Sequence, residues 1–424
     1  MLRRVILTLL VLAFATLVGA CWYAYDKGFT RKWRGFVTDE FRKRGLEVSL
    51  RRMKLEPFRG IVAKDVQIYD ARDRQRTVGV IDEMLLVIDY ANLFRGETFL
   101  NALELRDANL SLPLNPENPR GPKLEISKLS GRLFLPPQQI YLSRLEAELY
   151  GIRLTASGRL INPQSFPVKK AGEQTLPVAL FERIIDELQR LRFESGSPQL
   201  DIRFSGDLAQ LDRVLIQATF WGEKIRRQDY LLESLYLNAA YRDGAFDLKQ
   251  LIAVDSHGSL QLGAGYNPAT GDGSLRLQSK LDLQGLLRAL PLPQLDDLVL
   301  YTPPLLELNA TMQAGKEPRL QVLGHVEVAR FAYRAVVFES LTTDLAWEPG
   351  RWAARDVRLV HRSGEVKGDV MQLPNAFRSR LSSTMNRQIL LPLLPGNPLE
   401  WLPKDETELR PANLVPNAEA VEAR

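Results

Sequence analysis

From Leu46 onward, apolar residues alternate with polar ones at a period of two. Val48/Leu50, Val66/Ile68, Leu103/Leu105, Leu110/Leu112/Leu114, Leu124/Ile126 and Ile152/Leu154/Ala156 all sit between polar or charged neighbours. A strand directs successive side chains to opposite faces, so each stretch predicts a half-buried strand. The pattern resumes in Leu200/Ile202/Phe204, Leu260/Leu262/Ala264/Tyr266, Leu306/Leu308/Ala310/Met312 and Leu320/Val322. Its longest run sets Leu275, Leu277, Ser279, Leu281 and Leu283 against Arg276, Gln278, Lys280 and Asp282, which predicts one continuous strand with a single wet face.

Helical periodicity is scarce. Phe36, Val37, Glu40 and Phe41, closed by Gly45, predict a short helix with Arg42, Lys43 and Arg44 in its last turn. Val178, Phe181, Ile184, Ile185, Leu188 and Leu191 follow Pro177 at three- and four-residue spacing, an amphipathic helix ending before Ser195-Gly196. Residues 163–196 therefore form a linker and helix between two β regions, 46–162 and 197–394. Residues 395–424 carry Pro395, Pro398, Pro403, Pro411 and Pro416 and no periodicity, the composition of a disordered tail.

The second β region repeats. A shift of 106 residues aligns Glu233-Ser234-Leu235 with Glu339-Ser340-Leu341, Gly244 with Gly350, Phe246 with Trp352, Leu251 with Val357 and Gly258 with Gly364, without a gap. Glycines at equal phase predict recurring hairpin turns. A looser copy runs from Leu142 through Gly151 and Gly158 to Asn162-Pro163. Alternation alone leaves open whether the apolar face meets a second sheet or a ligand. So few helices cannot cover it, which predicts a sheet curled on itself or lined with lipid.

Charge is concentrated at the start. Residues 1–60 hold 13 Lys/Arg against 5 Asp/Glu, whereas the remainder holds 43 against 46. The cations flank an uncharged run, Val5 to Tyr25, which includes Leu12 and ends in Trp22, Tyr23 and Tyr25. At about 1.5 Å per residue that run spans a hydrocarbon core, with its rings at the headgroup level. Residues 1–25 thus read as a transmembrane anchor with Val5, Leu12, Trp22 and Tyr25 as its marks, and 26–45 as a basic juxtamembrane helix. Arg31, Lys32, Arg34, Arg42, Lys43 and Arg44 are the expected headgroup contacts. The competing reading is a lipoprotein signal, with Val18-Gly19-Ala20 leading to lipidation at Cys21. The cations after the run exceed Arg3 and Arg4 before it, and the positive-inside rule would hold the body in the cytoplasm.

Chemistry-bearing motifs are absent. There is no G-x-S-x-G, no G-x-x-x-x-G-K-[ST] and no H-E-x-x-H, and the three histidines and single cysteine show no ligand spacing. No catalytic residue, metal or cofactor is assigned, and with no basic stripe on the body nucleic acid is not an expected partner.

The first 115 residues carry a resemblance. The anchor and basic helix lead to Gly45-Leu46-Glu47-Val48-Ser49-Leu50, then Asp65-Val66-Gln67-Ile68-Tyr69-Asp70, Ile81-Asp82, Leu93-Phe94-Arg95-Gly96 and Leu103 to Leu112. This resembles the start of the AsmA-like family of envelope proteins. The resemblance implies a mainly β protein in which a transmembrane helix precedes an elongated, curled antiparallel sheet with a few short helices. It also implies export, so that the body lies in the periplasm of a two-membrane envelope and handles phospholipid for outer-membrane biogenesis. Leu260, Leu262, Leu275, Leu277, Leu281 and Leu283 are the expected lipid-groove floor, with membrane phospholipids and other envelope proteins as partners. A tethered scaffold for outer-membrane protein assembly, with dry sandwich cores, is the alternative.

Overall fold

The structure, a computed structural model, describes residues 28–43, 47–56, 60–69, 77–95, 97, 99–113, 123–136, 138–162, 178–210, 213–290, 297–315, 319–334, 336–386 and 389. They are mainly β. They divide into two compact units, the first drawn from residues up to Arg190 with Ser197–Ile216, the second from Leu191–Gly196 with residues from Gln217 onward. The anchor residues Val5, Leu12, Trp22 and Tyr25, together with Cys21, Arg44 and the proline-rich tail, lie outside the described residues. Among those described, no helix is long and apolar enough to cross a membrane.

The first unit opens with α1 (Arg31–Lys43), followed by β1 (Glu47–Glu56), β2 (Gly60–Tyr69), β3 (Thr77–Ile88), α2 (Tyr90–Arg95), β4 (Leu100–Pro113), β5 (Lys123–Phe134), β6 (Gln139–Leu149) and β7 (Ile152–Ile161). Each strand pairs antiparallel with the next. The registers place Leu50, Val66, Ile81, Ala108 and Leu129 side by side on one face, and all are buried. Val37 and Phe41, one helical turn apart on α1, pack into the same cluster. Helix α1 thereby packs its apolar side against the sheet beside β1.

Helix α3 (Val178–Gln189) starts where expected but ends before Leu191, and Arg192–Phe193 already form a short strand. The helix carries the chain to β9 (Gln199–Asp207), which returns parallel to β7 with Leu154 opposite Leu200 and Ala156 opposite Ile202. Parallel neighbours need a crossover, and the helix supplies one. The ladder of the first unit thus takes in a strand that lies past the linker.

The second unit contains β8 (Arg192–Phe193), most of β10 (Leu215–Arg227), β11 (Tyr230–Arg242), β12 (Ala245–Val254), β13 (Ser259–Asn267) and β14 (Asp272–Ser279). Helix α4 (Leu283–Ala289) and β15 (Leu298–Leu300) follow, then β16 (Leu305–Gln313), β17 (Arg319–Val328), β18 (Phe331–Tyr333), β19 (Val336–Phe338), β20 (Ser340–Glu348), β21 (Arg351–His361), β22 (Gly364–Leu373) and β23 (Ala376–Ser383). Strands β11, β12, β13, β14, β16, β17, β20, β21, β22 and β23 pair antiparallel in that order. β15, β18 and β19 make a separate three-stranded sheet.

The 106-residue repeat is structural. β12 and β21 begin at equivalent positions, Ala245 and Arg351, after equivalent turns at Gly244 (φ 77) and Gly350 (φ 79). Tyr241 faces Phe246 across the first turn, and Trp347 faces Trp352 across the second. Register breaks recur at the same phase, between Leu248 and Leu251 and between Ala354 and Val357. Such bulges bend a strand and increase its twist. The looser copy also turns on a left-handed glycine, Gly151 (φ 81), between β6 and β7.

At both Gly244 and Gly350 a Cβ would meet open space, so only backbone conformation opposes a side chain there. Gly244→Ala and Gly350→Ala should each lower stability by about 1–2 kcal/mol, the cost of a left-handed L-residue. Urea melts of the two variants should agree with each other, and a neutral result at either would show that its turn is not held at that φ.

Candidate functional site

The candidate site is the apolar face of the ten-strand ladder. Leu262 on β13 faces Leu277 on β14, Leu277 faces Leu308 on β16, and Leu308 faces Gly324 on β17. The neighbouring row runs Leu248, Ala264, Leu275, Ala310, Val322 and Trp347. Partners opposite each other in a ladder point to the same side, so these rows form one continuous surface. The reverse face carries Lys249, Gln261, Arg276, Asn309, Gln321 and Glu348, with Arg276 bonded to Asn309 and Gln278 to Glu307.

Burial separates this face from that of the first unit. Leu260, Leu262, Leu277, Leu306 and Leu308 are only half-buried, and Leu275 and Leu345 are each 36% exposed. The unit's buried cluster, Val328, Phe331, Phe338 and Met385, is confined to one long edge of the sheet. Ten strands about 4.8 Å apart make this largely uncovered surface on the order of 45 Å long.

Four of the six expected floor residues share the face: Leu260, Leu262, Leu275 and Leu277. The other two do not. β14 ends at Ser279, Leu281 is 3% exposed beyond it, and Leu283 begins α4. A buried polar knot ends the strand there. One Asp255 carboxylate oxygen accepts the N–H groups of His257 and Gly258, at 2.7 Å each. The other accepts the Tyr230 hydroxyl (2.9 Å) and the N–H of Asp282 (2.8 Å), whose own carboxylate caps the helix at Gly285 N (3.0 Å). Those bonds turn the chain out of the sheet although the leucine alternation continues. His361 stands at the repeat position of Asp255 and likewise organises its turn, accepting the N–H of Ser363.

Sequence reading missed several floor positions, among them Leu237, Leu251, Leu308 and Val322. Leu308 and Val322 read as strand residues from their alternation, and the signal that joins them to the floor is inter-strand register. His325 Nδ1 lies 2.6 Å from Asp344, and His361 packs edge-on to Phe338. Among the described residues, no three of His, Cys, Asp and Glu gather as a metal site.

The expected headgroup cations divide. Arg34 spends one guanidinium nitrogen on the carbonyls of Leu50 and Arg51, and Arg42 pairs with Asp39 and Glu47, so neither is a free cation. Arg31 and Lys32 are exposed beside Trp33 and Phe36, which are 44% and 47% exposed. The side chain of Lys43, like Arg44, lies outside the described set.

Compared with protein-family models, with curated proteins and with solved structures, the chain matches none.

Burial pushes the Asp255 carboxyl up, but the N–H groups of Asp282, His257 and Gly258 and the Tyr230 hydroxyl together hold it below its ordinary value. Burial, then the bond to Asp255, raises the Tyr230 phenol. A depressed carboxyl stabilises the fold fully above its unfolded pKa, and that contribution is lost as pH falls through the folded value. Asp255→Ala should therefore cost about 2–3 kcal/mol at neutral pH. The advantage of wild type over Asp255→Asn should shrink as urea melts are taken below the ordinary aspartate range. A constant difference across pH would exclude this role for the carboxylate.

Proposed function

We propose that this chain is a membrane-anchored, AsmA-like envelope protein whose second unit binds phospholipid on its apolar sheet face and lets acyl chains move along it. The supporting observation is that face: one row is apolar in register from Leu237 on β11 to Val370 on β22, ending at Ser379 on β23, and it is largely uncovered. Water against such a surface is unfavourable, by about 25 cal/mol per Å², and an acyl chain would relieve that at about 0.8 kcal/mol per buried CH₂. The rows hold no deep pocket-forming residue and no charge, so neighbouring positions offer similar binding. That evenness suits passage better than storage.

Tethering rests on the uncharged run Val5–Tyr25 and is supported by the exposed Trp33 and Phe36 beside Arg31 and Lys32, a pairing suited to a headgroup layer. Placing the body in the periplasm rests on the family resemblance. A scaffold with dry sandwich cores is the weaker reading for the second unit, since its central aliphatic residues lie outside the buried cluster.

The decisive experiment is mass spectrometry of organic extracts from purified full-length protein. Wild type should carry phospholipid, whereas Leu277→Asp and Leu308→Asp should lose most of it while circular dichroism and melting midpoint stay near wild type. Lipid-free wild type, or variants that retain lipid in full, would refute the proposal.

A further inference from the structure

The two long edges of the apolar face differ. At one edge lie the longer connections: α4 and β15 between β14 and β16, and β18 and β19 between β17 and β20. The buried cluster of Val328, Phe331, Phe338 and Met385 sits on this side, and Leu341, Leu359 and Val366 pack against it. Aliphatic side chains there already have protein neighbours.

The opposite edge is made of turns, and aromatic rings stand at the β11–β12, β13–β14 and β20–β21 turns, while the β16–β17 turn carries Met312 and Leu320. Tyr241 and Phe246 flank the β11–β12 turn with ring centroids 4.9 Å apart. Tyr266 is the next on the same face, opposite Phe246, and Trp347 and Trp352 flank the β20–β21 turn. Phe246, Tyr266, Trp347 and Trp352 are 54%, 44%, 42% and 40% exposed. Between the edges the floor is aliphatic. Turn residues just outside the rings are charged or polar: Arg242 and Asp243 at one turn, Glu348 and Arg351 at the other, Asn267 and Asp272 between.

Phenol and indole rings have an apolar body and a polar tip, and they settle where hydrocarbon gives way to headgroups. Both aromatic pairs occupy the same position of the 106-residue repeat, so the ring pair is a property of the module rather than of one turn, whereas Tyr266 has Gln372 at its repeat position. We infer that the occupant of the face is an amphiphile held crosswise, with its alkyl chains on the leucine floor pointing toward the cluster edge and its polar headgroup at the aromatic turn edge. The inference deepens the lipid reading and rests on it. It adds a fixed polarity: headgroups leave the sheet along one edge only.

The test uses full-length protein loaded with phosphatidylcholine brominated either near the carbonyl ends or near the methyl ends of its acyl chains. Tryptophan emission assigned to the edge is the difference between wild type and Trp347→Phe/Trp352→Phe, exposed positions where a ring is retained. A floor reporter is Leu308→Trp in that double variant, with Leu262→Trp as a second floor position if the first lowers the melting midpoint. The expected result is greater loss of edge emission with bromines near the carbonyl, and greater loss of floor emission with bromines near the methyl end. Equal profiles at edge and floor, or the reverse order, with lipid still present in the extract, would overturn the crosswise orientation and leave lipid binding standing. An extract without lipid would instead refute the lipid reading, and this inference with it.

Discussion

Strand parity is the constraint on which the second unit depends. A slip of one residue in any pairing would turn that strand's leucines to the polar side and its Lys, Arg and Gln to the apolar one. Leu262, Leu277 and Leu308 remain in line across β13, β14 and β16 because those ladders run without a break. Where breaks occur, between Leu248 and Leu251 and between Ala354 and Val357, apolar residues regain the face on the far side. An apolar surface is thereby maintained in a sheet with little core above it. Backbone pairing and the cluster around Phe338 hold the unit together, with less help from face burial than an ordinary domain has.

The first unit treats the same alternation differently. Its leucines and valines also share one face, but Val37 and Phe41 of α1 complete a buried cluster with Val48, Leu50 and Met53. Arg34 reaches from the helix to the carbonyls of Leu50 and Arg51 and fastens it to β1. One chain therefore contains a sheet face that is sealed and another that is not. In the first unit an amphipathic helix contributes Val37 and Phe41 to that burial.

Much of this was legible in the sequence. The period-two runs place β1, β2, β7, β13 and β16, the spacing from Val178 to Leu188 places α3, and the 106-residue shift locates both aromatic hairpins. Illegible were events decided by distant partners. Leu281 and Leu283 continue the leucine alternation, and the strand ends because Asp255, from an earlier turn, captures the N–H of Asp282. Arg42 looks like a free cation until Glu47 folds back beside it. β9 reads as the start of a new region, and only pairing with β7 returns it to the first unit. Local pattern identifies a strand and its wet side, whereas its neighbour, its end and the cover over its dry side are tertiary facts.

The repeat has a consequence for how such a chain grows. One period carries the ladder from β11 to β20, six strands with their turns, bulge and ring pair, and it begins and ends on compatible pairing edges. Duplicating it in tandem would extend the sheet by about 29 Å without a new kind of junction. Length is then an adjustable quantity, set by copy number, with the apolar face and its ring pair inherited unaltered.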